Sequence, residues 1–507
     1  MYRFFFTIIL LLAASSSLLA QDFNAIRDDQ INRLKNYALD AILPSGLVRD
    51  SLVLDPAASS FHPATPDAAG MNLVALSALS YLGKLPDAEQ RVINILSAYS
   101  GLTPGVVPDR SADGHFTHFM NIATGAKAGS GWDASYSPIG TALLVAGAQF
   151  AQKHFAANAT IAALAQQLTN SVNFNNAISP ALDGGVYLDM TKAGGGGGAA
   201  VRPFNEYMLV VSLALREANN ARALAVKHLW FDSDFLPKKN YGPHVTLTDN
   251  VSSYAPAFWV QDMHFLNGDF RHNPELEVYF TRQKQADKLY SSSSLGQSFR
   301  YGLTAGVIPN GYHADRIGDH PWTVFSPEAV AAWGDMTTLL SYYAQQNPTS
   351  NPRYRYGMVR VSAEQPGWIP TDAGLVDHMF LLFGLMESID PTFFRDRMLP
   401  ALKPGDYNAD GVVDQADYNY WRSNFGSLNR LAADGNNSNQ VDSADYVVWR
   451  KSLMAGGLGA EVSVPEPLGD PLVAIAIGMI ILIPVQRTLV RQFRRPWLWS
   501  SYPQGRV

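Results

Sequence analysis

Between about Asn24 and Leu399 the apolar positions recur at the three-to-four-residue spacing of helices, and alternating strand patterns are scarce. Three proline-free runs carry the pattern most clearly: MNLVALSALSYLGKL (Met71 to Leu85), GTALLVAGAQFAQKHF (Gly140 to Phe155) and NEYMLVVSLALREA (Asn205 to Ala218). Loops rich in Gly, Pro, Asn and aromatics separate the helices, as in GYHADRIGDHPWTVFSP (Gly311 to Pro327). Many helices with elaborate aromatic loops at their ends predict an α-helical toroid or bundle whose function lies on the loops. The glycine run Gly194 to Gly198 reads as surface loop, because the Gly-Lys-Ser/Thr context of a phosphate cradle is missing.

The pattern changes at Lys403-Pro404-Gly405. DYNADGVVDQAD (Asp406 to Asp417) returns as DGNNSNQVDSAD (Asp434 to Asp445), 28 residues on (434 minus 406), and Tyr418/Tyr446, Trp421/Trp449 and Arg422/Arg450 keep the offset. Hard divalent cations take oxygen donors from alternate positions of a short loop. The first repeat offers Asp406, Asn408 and Asp410, the carbonyl of Val412, Asp414 through water, and Asp417, with Gly411 at the sharp turn. The second offers Asp434, Asn436, Ser438, Gln440, Asp442 and Asp445, with Asn439 where the glycine stood. Asn tolerates left-handed backbone, so calcium is the expected cofactor of both loops, weaker in the second because Ser438 replaces an acid. A short amphipathic helix follows each loop.

Both ends of the chain carry targeting patterns. MYRFFFTIILLLAASSSLLAQ has the layout of a secretory signal peptide with cleavage near Ala20. PLVAIAIGMIILIPV (Pro471 to Val485), followed by Arg487, Arg491, Arg494 and Arg495, reads as a stop-transfer segment, although shorter than the ~20 residues of an ordinary bilayer span. The expectation is an exported protein, secreted or held at the cell envelope, with membrane contact through its C-terminal segment.

Composition narrows the chemistry. At 507 residues, 47% hydrophobic and 16% charged, the chain holds one large domain plus appendages. A net charge of −6 without a basic block sets nucleic acid aside. The absence of cysteine excludes disulfides, thiolate metal sites and cysteine nucleophiles. Sugar-processing sites pair carboxylates with aromatics that stack on pyranose rings. Acids stand beside aromatics at Trp132-Asp133 with Tyr136, at Asn205-Glu206-Tyr207, at Gln261-Asp262 with His264, and at Asp372 and Asp377. From these residues alone, a loop-rich helical enzyme and a binder both stay open.

Several stretches go further: GLVRD (Gly46 to Asp50), GHFTHFMN (Gly114 to Asn121), IGTALLVAGA (Ile139 to Ala148), FNEYML (Phe204 to Leu209), YGLTAGVIPNGY (Tyr301 to Tyr312) and VDHMFLLFGLM (Val376 to Met386). Taken in order over about Asn24 to Asp396, they resemble the glucoamylase-like domain of bacterial endo-β-1,2-glucanases and cyclic β-1,2-glucan synthases. The resemblance implies an (α/α)6 toroid, whose hydrolases cut β-1,2-glucan with inversion and need no cofactor. Carried over by position, it makes Glu206 the general acid and Asp377 the residue that activates water. Tyr301, Tyr312 and His264 match polar or aromatic cleft positions. Asp262 joins these as a substrate-binding candidate, and Trp132, Tyr136 and Trp322 are stacking candidates from the loops.

Two departures bear on activity. Where the family carries Glu-x-x-x-x-Asp before the IGTALL helix, this chain has Ser135 and Gly140, which leaves open an altered substrate, a catalytic pair using Asp133, or no catalysis. YGMVR sets Arg360 where an acid is common, implying an acidic sugar or a buried ion pair. The repeat at 404–457 resembles type I dockerins, calcium-folded modules that bind cohesin-type partners. Val464-Pro465-Glu466-Pro467 with the apolar segment resembles a PEP-type sorting signal of bacterial envelope proteins. The expected organisation is a signal peptide at 1–20, the glucoamylase-like domain at 24–399 and the repeat module at 404–457. A linker at 458–470, the apolar segment with its basic flank at 471–495 and a tail at 496–507 follow. Three functions follow from the reading: an exported hydrolase of a β-glucan or related polysaccharide, a non-catalytic glycan binder or surface organiser of the same fold, and a lyase with a Tyr or His base.

Overall fold

The computed structural model describes residues 23–55, 62–297, 300–346, 351–428 and 430–455. The expected signal peptide, the linker, the apolar segment and the tail lie outside the described residues. No helix among the described residues is long and apolar enough to cross a membrane.

The body is built from α1 (23–40), α2 (Pro66–Tyr81), α3 (Ala88–Tyr99), α4 (Pro138–His154), α5 (Ala159–Asn170), α6 (Met208–Leu215), α7 (Ala221–Phe231) and α8 (Ala257–Leu266). The single-turn α9 (Gly268–Arg271), α10 (Pro274–Ser293), α11 (Pro327–Ala332), α12 (Met336–Gln346) and α13 (Leu375–Glu387) complete it. Helices α2, α4, α6, α8, α11 and α13 each pack on the next, and α13 packs back on α2, closing a ring. Outside it, α3 lies on α2, α5 on α4, α7 on α6, α10 on α8 and α12 on α11. The outer α1 meets α2 through Asn72, whose amide donates to the Ala38 carbonyl, and α13 through the edge contact of Tyr37 with His378. This is the expected six-inner, six-outer toroid.

Local chemistry explains the inner ring. Thr65, Ser137 and Ser326 cap α2, α4 and α11 by accepting from Ala68, Gly140 and Ala329 N–H groups, and each is followed by a proline at the first helical position. Helix α2 is buried on nearly all sides, so its sequence is apolar all round rather than striped. It approaches α4 backbone to backbone: a Cβ on Gly147 would lie 2.2 Å from the Gly70 carbonyl oxygen.

The inner helices run parallel. The C-terminal ends of α2, α4 and α8 and the end of α13 gather on one side. There the Tyr81 hydroxyl donates to Asp390 (2.7 Å), Arg397 donates to His154 (3.0 Å) and His264 meets Glu387 (3.1 Å). Their N-termini therefore converge on the opposite side, which bears the long loops and two-stranded antiparallel ribbons. These are β1 (Ser51–Val53) with β10 (Asp372–Gly374), β2 (Val186–Tyr187) with β3 (Ala200–Val201), and β4 (Lys238–Tyr241) with β5 (His244–Leu247). The others are β6 (Ala305–Ile308) with β7 (Gly311–Ala314), and β8 (Val324–Phe325) with β9 (Val361–Ser362). The β1–β10 pairing, with Ser51 opposite Gly374, clips the start of the body to the last inner helix.

After the body come α14 (Gln415–Asn424) and α15 (Ser443–Ala455), each behind one acidic loop. The two repeats interlock reciprocally. The Trp421 indole donates to the Asp442 carbonyl (2.9 Å), and the Trp449 indole donates to the equivalent Asp414 carbonyl (2.8 Å). The described residues of body and module belong to one unit, and Ala409 and Ala432 of the module join the main hydrophobic core.

Candidate active site

Five acids meet at the N-terminal end of the inner ring. Asp50 precedes β1, Asp67 lies in the first turn of α2, Glu206 stands just ahead of α6, Asp262 is inside α8, and Asp377 is in the first turn of α13. Asp262 feels the charges of Glu206, Asp377 and Asp67, while Asp50 feels those of Asp67, Asp377 and Asp372. Asp50, Asp67, Glu206 and Asp377 are half-buried, whereas Asp262 is 1% exposed at the floor. Converging helix N-termini supply partial positive charge, which favours carboxylates there.

Glu206 is oriented by its neighbours. The Asn205 side chain donates to the Arg202 carbonyl (2.9 Å) and accepts from the Tyr207 N–H (3.0 Å), fixing the turn into α6. The Trp259 side chain hydrogen-bonds to Glu206, while Oε2 is buried with no partner. Burial, with a smaller push from Asp249, raises its pKa to about 7. A carboxylic acid that keeps its proton near neutrality and holds one oxygen without a protein partner is a proton donor in waiting.

Asp377, like Glu206, acts on Asp262 through its charge. The Tyr312 hydroxyl, on the β6–β7 hairpin, is 3.4 Å from Asp377 Oδ2. Burial raises Asp377 to about 7, opposed chiefly by the positive charge of Arg360. The Arg360 guanidinium is buried, donates to the Thr304 carbonyl (2.8 Å) and pairs with buried Asp315 at 3.6 Å. It passes where a Cβ on Gly306 would collide with it. Of the two outcomes expected at this position, the buried ion pair is the one present. Beneath it, Glu328 bonds His378 (3.0 Å) and accepts from Ser326 (2.6 Å), bracing the α11–α13 contact.

The structure sets other sequence candidates apart from this cluster. His264 lies at the opposite end of the ring, stacked on Phe280 at 3.8 Å and held between Glu277 and Glu387. It packs; it does not face the acids. Tyr301 is buried against Trp333 with its hydroxyl on Asp335 (2.9 Å), also away from the acids. Tyr136 is buried too, its hydroxyl donating to Asp109 (3.1 Å) and Lys127 lying 4.4 Å over its ring, so it offers no open stacking face. Trp322 is half-buried in the loop entering β8. The side chains of Trp132 and Asp133 lie outside the described residues.

Sequence reasoning did not single out Asp50, Asp67 or Trp259 as site residues. Asp67 bears on one departure: Pro66 beside it lies against Gly140, so α2 brings an acid next to the place where the resembled family carries its own. Ser135 is half-buried with its hydroxyl unpartnered.

The repeat loops are built alike. Asp417 accepts from the N–H groups of Tyr407, Asn408 and Asp414, and Asp445 accepts from the equivalent Gly435, Asn436 and Asp442. Asp406 caps Gly411, and Asp434 caps Asn439, with φ of +88° and +66° at these two turn residues. Among the described residues no three His, Asp or Glu side chains converge as a metal group. The donor chemistry nevertheless fits a hard cation. Asp406 Oδ1 is buried without a partner, and burial together with Asp417 raises Asp406 to about 6, with Lys227 only partly opposing the crowding of carboxylates.

No protein-family model and no curated protein matches the chain. Solved structures do. A glucoamylase-like protein of Bacteroides fragilis aligns with TM-score 0.62 and 20% identity over 74% of this chain and 93% of its own. An endo-β-1,2-glucanase of Chitinophaga pinensis, in complex with sophorotriose and glucose, aligns with TM-score 0.61 and 16% identity over 74% and 93%. An endo-β-1,2-glucanase of Talaromyces funiculosus with sophorose aligns with TM-score 0.53 and 12% identity over 73% and 87%. The body of this chain has the glucoamylase-like toroid fold that these glucan-acting proteins share.

Proposed function

We propose that the chain is an exported glycoside hydrolase of a β-glucan, with β-1,2-linked glucan the first substrate to try. The observation that carries this reading is the meeting of Glu206, Asp262 and Asp377 at the open end of the helical ring. Glu206 gives its proton to the glycosidic oxygen as the bond breaks. Asp377 takes a proton from a water that attacks the anomeric carbon from the other face, so configuration inverts. Asp262 keeps its proton, because burial and three neighbouring acids hold its pKa far above the carboxylate range, and donates to a sugar hydroxyl. Tyr312, 64% exposed beside Asp377, is the aromatic that meets the sugar ring there.

The repeat module is read as a calcium-binding, dockerin-like unit, with calcium held by Asp406, Asn408, Asp410 and the Val412 carbonyl, and by their second-loop counterparts. The terminal segments are read as export and envelope-sorting signals. Incubating the full chain with β-1,2-, β-1,3- and β-1,4-glucans and measuring reducing ends tests the hydrolase. Release from at least one supports it. Binding without release from any supports instead a glycan-binding protein, the reading favoured by Ser135 and Gly140 where the resembled family has acids.

A further inference from the structure

The module and the body meet around α7. Asn220, which precedes it, gives its amide to the Leu215 carbonyl (2.8 Å) and to the Asn408 carbonyl in the first acidic loop (2.9 Å). Further along, the Lys227 ammonium donates to the Ala432 carbonyl (3.4 Å) and lies within electrostatic reach of Asp406 and Asp417. A cavity of about 330 Å³ between the two parts is lined by Lys227, His228 and Asp232 from the body and by Asp406 and Asp434, the first acid of each loop. The strand of chain joining the parts is pinned as well: the Leu402 N–H donates to Asp269 (2.7 Å), which pairs with Arg216 (2.9 Å). Tyr420 of α14 packs against the core that Ala409 and Ala432 share with the body.

We propose that the partner of this loop face is the body itself. Lys227, whose charge acts on Asp269 of the body and then on Asp406 and Asp417, lines one cavity with Asp406, and a divalent ion entering the first loop does so against the Lys227 charge. Metal occupancy and the seating of the module on α7 are therefore coupled. The coupling rests on the calcium reading of the loops; the docking of the loop on Lys227 does not.

Calorimetric titration of the full chain with calcium, for the native protein, Lys227→Met and Lys227→Arg, tests the coupling. Removing one nearby positive charge is expected to tighten one of the two calcium affinities about fivefold in Lys227→Met, while Lys227→Arg stays within about twofold of native. Equal affinities in all three chains overturn the coupling. Thermal unfolding in EDTA tests the docking alone. Lys227→Met is expected to melt below the native chain, and the effect of Lys227→Met is expected to be smaller in an Asp406→Asn background than in the native one. A native melting temperature for Lys227→Met, or strict additivity, overturns it. If the native chain binds no calcium, the calcium reading and the coupling fail together, and the EDTA melts alone decide the docking.

Discussion

The Tyr312 hydroxyl stands 3.4 Å from Asp377 Oδ2, while Arg360 acts on the same carboxylate from beneath the hairpin that carries Tyr312. One ribbon thus brings together an aromatic, a carboxylate and the cation that keeps the carboxylate ionisable. Arg360 opposes the upward push of burial on Asp377. In Arg360→Met the Asp377 pKa is expected to rise further, so the acidic limb of the pH–rate profile moves up by about one unit. Tyr312→Phe removes a hydrogen bond to the charged form and shifts the limb the same way by less. An unmoved limb in both variants would remove Asp377 from the role of base.

Glu206 links activity to stability. Its pKa is about 7 in the folded chain, against about 4.3 in an unfolded one. The folded state holds this proton more tightly, so its contribution is complete below about pH 4 and is lost as pH rises through 7. Glu206→Gln is therefore expected to stabilise the chain at pH 8, by about 2 to 4 kcal/mol at most, and to leave it nearly unchanged at pH 4. Melting curves at the two pH values check the sign.

Tryptophan emission reports on the repeat loops. Trp421 and Trp449 each bond to a carbonyl in the opposite loop, so loop occupancy changes their surroundings. Adding EDTA to the native chain is expected to shift emission, and calcium to restore it. Asp417→Ala, which strips three backbone N–H groups of their acceptor, is expected to lose the response and roughly 1 to 3 kcal/mol of module stability. An EDTA-silent spectrum counts against calcium.

The inner ring admits little change. A methyl on Gly147 meets the Gly70 carbonyl at 2.2 Å, so α2 and α4 must separate to accept it. Gly147→Ala is expected to destabilise the chain by about 1 to 3 kcal/mol, read from denaturant midpoints.

The helical body was legible in the sequence because helix spacing is a local signal, carried by the runs from Met71, Gly140 and Asn205. Glu206 and Asp377 were legible through the short motifs that hold them. His264 shows the limit. Only two positions separate it from Asp262 on α8, yet two residues turn a side chain by about 200°, leaving Asp262 on the face towards the acids and His264 on the opposite face, stacked on Phe280 of the outer α10. Asp50 and Asp67 read as ordinary loop and helix-start acids until β1 pairs with β10 and α13 closes onto α2. Tyr301 and Tyr136 carried the right chemistry, but what buries them comes from residues tens of positions away: Asp335 and Trp333 for one, Asp109 and Lys192 for the other.

The central claim is that Glu206 donates the proton that breaks a β-glucosidic bond. The most direct measurement compares reducing-end release from β-1,2-glucan by the native chain and by Glu206→Gln, with glucan binding followed in parallel. Release by the native chain, and a loss of about 100-fold or more in the variant with binding retained, is the expected result. A native chain that releases nothing, or a variant as active as the native chain, would contradict it.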